Sequence, residues 1–339
     1  MKHKNLLRSA VLTGLGLLAL NANQALASDA KCEIDRPVMF ADLNWDSAMF
    51  HNAVAKFIIE KGYGCKTDGM IGDNIPMINA VAKGDVDVIM EIWTNNVDEA
   101  WKKAESKGQV QLVGDNFEGN EAWWIPKYLV EGDNAPAKGL KSVTDLPKYK
   151  DLFKDPEEPT KGRFLNCPAG WTCEMVNGKK LKAYGLEDSF VNFLSGTGAA
   201  LDSAIISALK RKKPVVFYYW APTSLIGKYS DQLVQLEEPE YNKEIFDKLK
   251  AEDNPSQATA FPKSKVDIGA NVEFLKAAPQ LAKFLDNYVT SSVQVSQALS
   301  YKEDNEASMK EAAVNFLKNN DAWAEWVPAD VAKRVKDAL

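Results

Sequence analysis

Four tryptophans at matched intervals constrain what this chain can fold into. Trp45 and Trp93 stand 48 positions apart, Trp171 and Trp220 stand 49 apart, and each follows a short run with strand character. Lys83 precedes Trp93 by ten residues, and Lys210 precedes Trp220 by the same interval. Between these runs lie stretches with helical spacing of apolar residues: Asp46 or Ser47 to about Lys61, Asn74 to Lys83, and Ala199 to Lys210. Regular alternation of strand and helix predicts a parallel α/β sheet flanked by helices. Ligands of such sheets bind at strand carboxyl ends, where these tryptophans fall. The spacing therefore predicts an internal repeat: two α/β lobes, each with a mainly parallel central sheet and each presenting two tryptophans. Expected crossings lie at Glu121-Ala122-Trp123-Trp124-Ile125-Pro126 and near Leu236 to Tyr241. They divide the chain into lobe I, residues 28–124 with 238–339, and lobe II, residues 125–237. From about Ile268 the tail reads as helical, with Trp323 and Trp326 packed on a core.

A second feature rigidifies one of these sites. In Cys167-Pro168-Ala169-Gly170-Trp171-Thr172-Cys173, a disulfide between the two cysteines would close a short ring around Trp171, worth roughly 2 kcal/mol in the chain-entropy model. Pro168 and Gly170 supply the fixed and the permissive dihedrals of a tight turn. The ring would present the Trp171 indole and the N–H groups of Thr172 and Cys173 in one orientation; the plainer alternative is a loop staple with Trp171 in the core. A second strand is expected near Cys65 to Met70, and parallel pairing with the strand that ends at Trp45 would bring Cys32 and Cys65 within bridging reach. Two disulfides suit an oxidising compartment.

The address agrees. Lys2, Lys4 and Arg8 precede the apolar run Val11 to Leu20, and Ala25-Leu26-Ala27 follows with small residues at cleavage spacing, so residues 1–27 read as a signal peptide cut after Ala27. Cys32 lacks a lipobox in front of it, which speaks against a lipid anchor. Removing three basic and no acidic residues takes the formal net charge from −6 to −9, which makes nucleic acid an improbable partner. Only His51 remains of the histidines. Histidine metal sites and Ser–His or Cys–His nucleophiles are then hard to build, and no metal, cofactor or enzymatic activity is expected. The acidic stretch Asp155 to Glu158 reads as a solvated loop rather than a calcium site.

Converging indoles suit a poorly hydrated cation such as a quaternary ammonium. At roughly 1–2 kcal/mol per desolvated face, four faces give about 4–8 kcal/mol, while micromolar affinity needs about 8. Further donors are needed, and the N–H groups of Thr172 and Cys173 can receive a carboxylate. Period-two alternation puts Glu121 and Trp123 on one face of the crossing strand, making both candidates for the cleft. A carboxylate at Glu121 would repel an acid group and favour a hydroxyl or a protonated N-oxide.

At these residues the chain resembles the substrate-binding proteins of glycine betaine, proline betaine and choline ABC importers. The motifs that carry the resemblance are Cys167-Pro168-Ala169-Gly170-Trp171-Thr172-Cys173-Glu174, Glu91-Ile92-Trp93-Thr94 and Phe217-Tyr218-Tyr219-Trp220-Ala221-Pro222. It implies a two-lobed periplasmic binding protein fold of type II, its lobes joined by a hinge and closing on the ligand. It further implies that Trp93, Trp171 and Trp220 box a trimethylammonium while Thr172 and Cys173 take a carboxylate. The implied protein is a monomeric periplasmic receptor that delivers to a membrane permease, with glycine betaine the first expectation. Trp45 is similar to the choline-type members instead, and Val97 stands where a histidine follows the first box tryptophan. Choline, proline betaine, carnitine and trimethylamine N-oxide therefore stay in the ligand set. A secreted structural or adhesive protein is the competing class; it would bind no small ligand.

Overall fold

The computed structural model describes residues 31–339. The expected signal peptide and its cleavage after Ala27 lie outside the described residues. In chain order the elements run β1 (Val38–Asp42), α1 (Asp46–Gly62), β2 (Thr67–Ile71), α2 (Asn74–Lys83), β3 (Val88–Trp93), α3 (Thr94–Glu105) and β4 (Val110–Pro126). Then come β5 (Gly162–Asn166), α4 (Thr172–Ala183), β6 (Phe190–Leu194), α5 (Gly198–Lys210), β7 (Val216–Ala221), α6 (Ser224–Tyr229), β8 (Leu233–Gln235) and α7 (Lys243–Ala251). The chain ends with β9 (Ser264–Asn271), α8 (Val272–Ala277), α9 (Pro279–Asn287), α10 (Ser292–Asp304), α11 (Met309–Asn319) and α12 (Ala329–Ala338).

The strands form two sheets that share β4. In the first, β1 pairs in parallel with β2 and β3, and β9 runs antiparallel between β3 and β4. In the second, β5 pairs in parallel with β6 and β7, and β7 runs antiparallel to β4, whose other edge carries the short β8. The order β2-β1-β3 is thus repeated as β6-β5-β7. The matched tryptophan intervals have this physical basis: β1 corresponds to β5, and β3 to β7.

Local physics accounts for the elements. Along α1, Phe50, Val54 and Ile58 recur every fourth residue and are fully buried, each contributing roughly 1.5–3 kcal/mol by leaving water. The helix α2 stops at Gly84, whose φ of 84° only glycine adopts cheaply, and the Val81 carbonyl accepts from both the Gly84 N–H and Asn271 Nδ2. Cys32 is bonded to Cys65 beside the β1–β2 pair, and Cys167 to Cys173. Trp323 and Trp326 are buried as expected, and Trp101 packs edge-on to Gly269.

Three boundaries differ from the sequence reading. The shared strand β4 is much longer than the expected crossing: it pairs with β9 up to Gly119 and with β7 from Asn120. The chain returns to the first sheet at Ser264 rather than near 238, because α7 packs on α4 of the second sheet and Phe246 and Phe261 meet there. Finally, the tail is a strand through Asn271 before it turns helical. Among the described residues no helix is long and apolar enough to cross a membrane.

Candidate functional site

Three of the four marker tryptophans occupy helix N-cap positions: Trp45 on α1, Trp93 on α3 and Trp171 on α4. An indole cannot cap a helix N-terminus as Ser or Asp would. These helices therefore begin without a side-chain cap, and their first turns open onto the space between the sheets. Trp220 sits on β7 opposite Glu121 of β4. Trp45, Trp93, Trp171 and Trp220 line one cavity together with Thr172, Cys173 and Glu121, and with Asn74, Asn96 and Tyr218.

The indoles are set as walls rather than as a stack. Trp45 meets Trp171 with ring centroids 5.3 Å apart at 66°, and Trp171 meets Trp220 at 5.3 Å and 77°. Edge-to-face packing of this kind is favourable because the positive edge of one ring meets the electron-rich face of the other, and Trp220 is backed by Tyr219, stacked on it at 4.5 Å and 29°. Two glycines make the geometry possible. Gly170, at φ 88°, lets the ring turn beside the Asp73 carboxylate, and a Cβ on Gly119 would lie 2.3 Å from the Trp93 ring. The indole of Trp171 donates to Asn44 Oδ1 at 2.7 Å, linking an element of the second sheet to one of the first.

Two buried carboxylates define the electrostatics. Glu121 accepts from Tyr218 Oη at 2.5 Å and from Asn96 Nδ2 at 2.9 Å, with Ser264 Oγ at 3.5 Å. Burial raises its pKa; the hydrogen bonds of Tyr218 and Asn96 and the charge of Lys180 oppose that rise. Lys180 is fully buried, 2.5 Å from Glu238, with its Nζ 3.9 Å from the Phe261 ring centroid. Glu91 lies behind the cavity, where Oε2 accepts from Trp45 Nε1 at 2.6 Å and Trp93 Nε1 at 3.2 Å. Burial pushes the Glu91 pKa up to about 7, against the indole hydrogen bonds.

Trp123 is a correction to the sequence reading. It shares a face of β4 with Glu121, but it lies one pleat further on, opposite Tyr218, where α4 covers the strand. Its indole donates to Asn177 Oδ1 at 2.7 Å and its ring packs on Phe164, so it is a core residue of the second sheet and does not line the cavity. The acidic loop is likewise structural at Asp155, which accepts from the backbone of Glu157 and Glu158 and from Arg163 Nε. Among the described residues no cluster of His, Cys, Asp and Glu could hold a metal ion. Sequence reasoning did not single out Asn74, Asn96, Tyr218 or Glu91. The available signals were an ionisable residue inside the apolar run of β3, and Tyr218 two positions before Trp220 on the same strand face.

Two α/β sheets sharing a strand, with an indole-lined cavity between facing helix N-termini, make the frame of a two-lobed solute receptor. Residues 36–319 match the family described as the substrate binding domain of ABC-type glycine betaine transport system, and the chain belongs to that family. It is a substrate-binding receptor and not an enzyme. It is 26% identical over 239 residues to the glycine betaine-binding periplasmic protein OusX of Dickeya dadantii (strain 3937), a match covering 68% of this chain and 69% of that protein. It is also 26% identical over 240 residues to the glycine betaine/proline betaine-binding periplasmic protein of Escherichia coli (strain K12), covering 68% and 69%. Among solved structures, an ABC-transporter choline binding protein in complex with choline superposes with a TM-score of 0.70 at 17% identity, covering 89% of this chain and 97% of that one. Lactococcal OpuAC in its closed-liganded conformation with glycine betaine gives 0.67 at 20% identity, covering 87% and 100%. These likenesses carry the two-lobed fold.

Proposed function

We propose that the protein is an exported receptor that captures a compact methylated amine carrying a hydroxyl or N-oxide, with choline and trimethylamine N-oxide as the representative ligands. The observation that carries this reading is the position of Glu121, a buried carboxylate that lines the same cavity as four indoles. A carboxylate accepts about four hydrogen bonds and three donors already approach this one, so one acceptor direction remains for a ligand donor. A methylated head would stand against the faces of Trp45, Trp93, Trp171 and Trp220, and its hydroxyl or protonated oxygen would point to Glu121. A ligand carboxylate would meet a like charge there.

Glycine betaine is the second reading, and one observation favours it: Thr172 and Cys173, at the uncapped start of α4, line the cavity and offer backbone N–H groups to an anion. The two readings separate on Glu121→Gln. Tryptophan fluorescence titrations with glycine betaine, choline and trimethylamine N-oxide should show about tenfold or greater loss for the latter two and little change or a gain for glycine betaine. Equal losses across all three ligands would remove Glu121 from ligand selection and return glycine betaine to first place.

The mature chain would act as a monomer in the periplasm after cleavage at Ala27, without a lipid anchor, and would hand its ligand to the membrane permease of its importer. The lobes would comprise residues 31–119 with 264–339 and residues 120–263. They would hinge where β4 passes between sheets at Gly119–Asn120 and where β9 begins at Ser264.

A further inference from the structure

We propose that Glu91 is a positioning residue of the cage, whose one oxygen clamps the indole N–H groups of Trp45 and Trp93 and whose negative charge behind both rings strengthens their hold on a cation. The inference rests on the cation-cage reading above and extends it to a residue that does not line the cavity.

Glu91 is fully buried on β3, yet only one of its oxygens is used. Oε2 receives both indoles, whereas Oε1 makes no hydrogen bond of normal geometry: the Ser47 hydroxyl is near enough to favour the charged carboxylate, and His51 Nε2 stands 3.8 Å away. A buried carboxylate so sparsely satisfied is costly for the fold. Two tryptophans at the N-cap positions of different helices converge on it, which ties one wall of the cage to the other. An indole whose N–H points at an anion carries more negative charge on its faces, and those faces attract cations.

The groups facing Glu91 are few. His51 of α1 is bonded through Nδ1 to Tyr288 Oη at 2.8 Å, and burial lowers its pKa to about 3, so it is neutral. Tyr288, past α9, keeps its proton because burial raises its pKa well above the ordinary value. On β9, opposite Ile92, Asp267 lies near Lys265, and Glu121 of β4 stands on the cavity wall. With a pKa about 7, Glu91 loses its charge on mild acidification, and cation affinity should fall with it.

The test compares choline with its neutral isostere, in which carbon replaces the nitrogen, on the parent and on Glu91→Gln. The substitution keeps the shape and an acceptor for the indoles but removes the charge. Choline affinity should drop about tenfold and isostere affinity less than about twofold. Equal losses for the two ligands would reduce Glu91 to packing support and overturn the inference. A parent that binds no methylated cation would sink the receptor reading instead. Should the variant fail to fold, the parent alone decides: the indole N–H resonances of Trp45 and Trp93, assigned with Trp45→Phe and Trp93→Phe, should titrate together near pH 7. Resonances that do not move with pH would contradict the clamp.

Discussion

Three of the four tryptophans that line the cavity are held by their ring nitrogens. The N–H of Trp45 and of Trp93 goes to Glu91 and that of Trp171 to Asn44, so these rings are oriented by their edges where they line the cavity. Replacing Trp45, Trp93, Trp171 or Trp220 with Ala should each cost at least about 1.5 kcal/mol of binding to a methylated cation by calorimetry. Four variants that bind as the parent does would mean the indoles are core residues only. The buried pair of His51 and Glu91 gives stability an unusual pH dependence. His51, held to about 3, binds its proton more weakly folded than unfolded, so stability falls as pH drops below about 6.5 by about 1.4 kcal/mol per unit. Glu91, raised to about 7, works in the opposite sense and gains stability from pH 7 down to its unfolded value of about 4.5. The two offset each other between about 4.5 and 6.5, and below that window the His51 loss is uncompensated. Urea unfolding of His51→Gln should therefore show a shallower stability loss than the parent below about pH 4.5. Parallel curves there would assign acid sensitivity to other groups.

Among the elements, those fixed by local chemistry were legible in the sequence. Helix α2 was read with the same ends as observed, because Gly84 closes it and its apolar residues keep helical spacing. The tryptophan ring and both disulfides follow from adjacency and parallel pairing. What escaped depends on contacts distant in sequence. The first half of β4 carries register shifts at Leu112/Gly114 and Asp115/Phe117, which break the period-two pattern, so only its second half was readable. The interval after β8 resembled a return crossing, and nothing local reveals that Phe246 on α7 finds its partner Phe261 in the second lobe. Trp123 escaped for a similar reason: alternation gives its strand face, but whether that face opens to the cleft or lies under α4 is decided by a helix far along the chain. The two disulfides should separate stability from binding. Removing Cys32–Cys65, with a separation of 33 residues, should cost about 4 kcal/mol of stability and leave affinity near that of the parent. Removing Cys167–Cys173, with a separation of 6, should cost only about 2 kcal/mol of stability yet weaken ligand binding, because Trp171, Thr172 and Cys173 lose their fixed orientation. Denaturant melts and ligand titrations on both double-Ser variants check this, and the opposite pattern would mean that the ring is merely a staple.

At the scale of the whole molecule, two repeated α/β units bring four indoles together by facing their helix N-termini across a cleft. Contacts between the units hold the cleft shut: Trp171 to Asn44, Lys250 Nζ to the Asn95 carbonyl at 2.7 Å, and Lys228 of α6 to Glu303 of α10 at 2.9 Å. Neither sheet alone carries more than two of the four tryptophans, so the cavity they line exists only where the two units meet. On the proposed function this cavity is a cage for a methylated cation. Calorimetric titration of the mature protein with glycine betaine, proline betaine, choline, carnitine and trimethylamine N-oxide tests it most directly. Saturable one-site binding of at least one of them is expected, with Kd about micromolar or tighter; a folded protein that shows no heat with any member of the panel would mean that the cavity is not a cation cage.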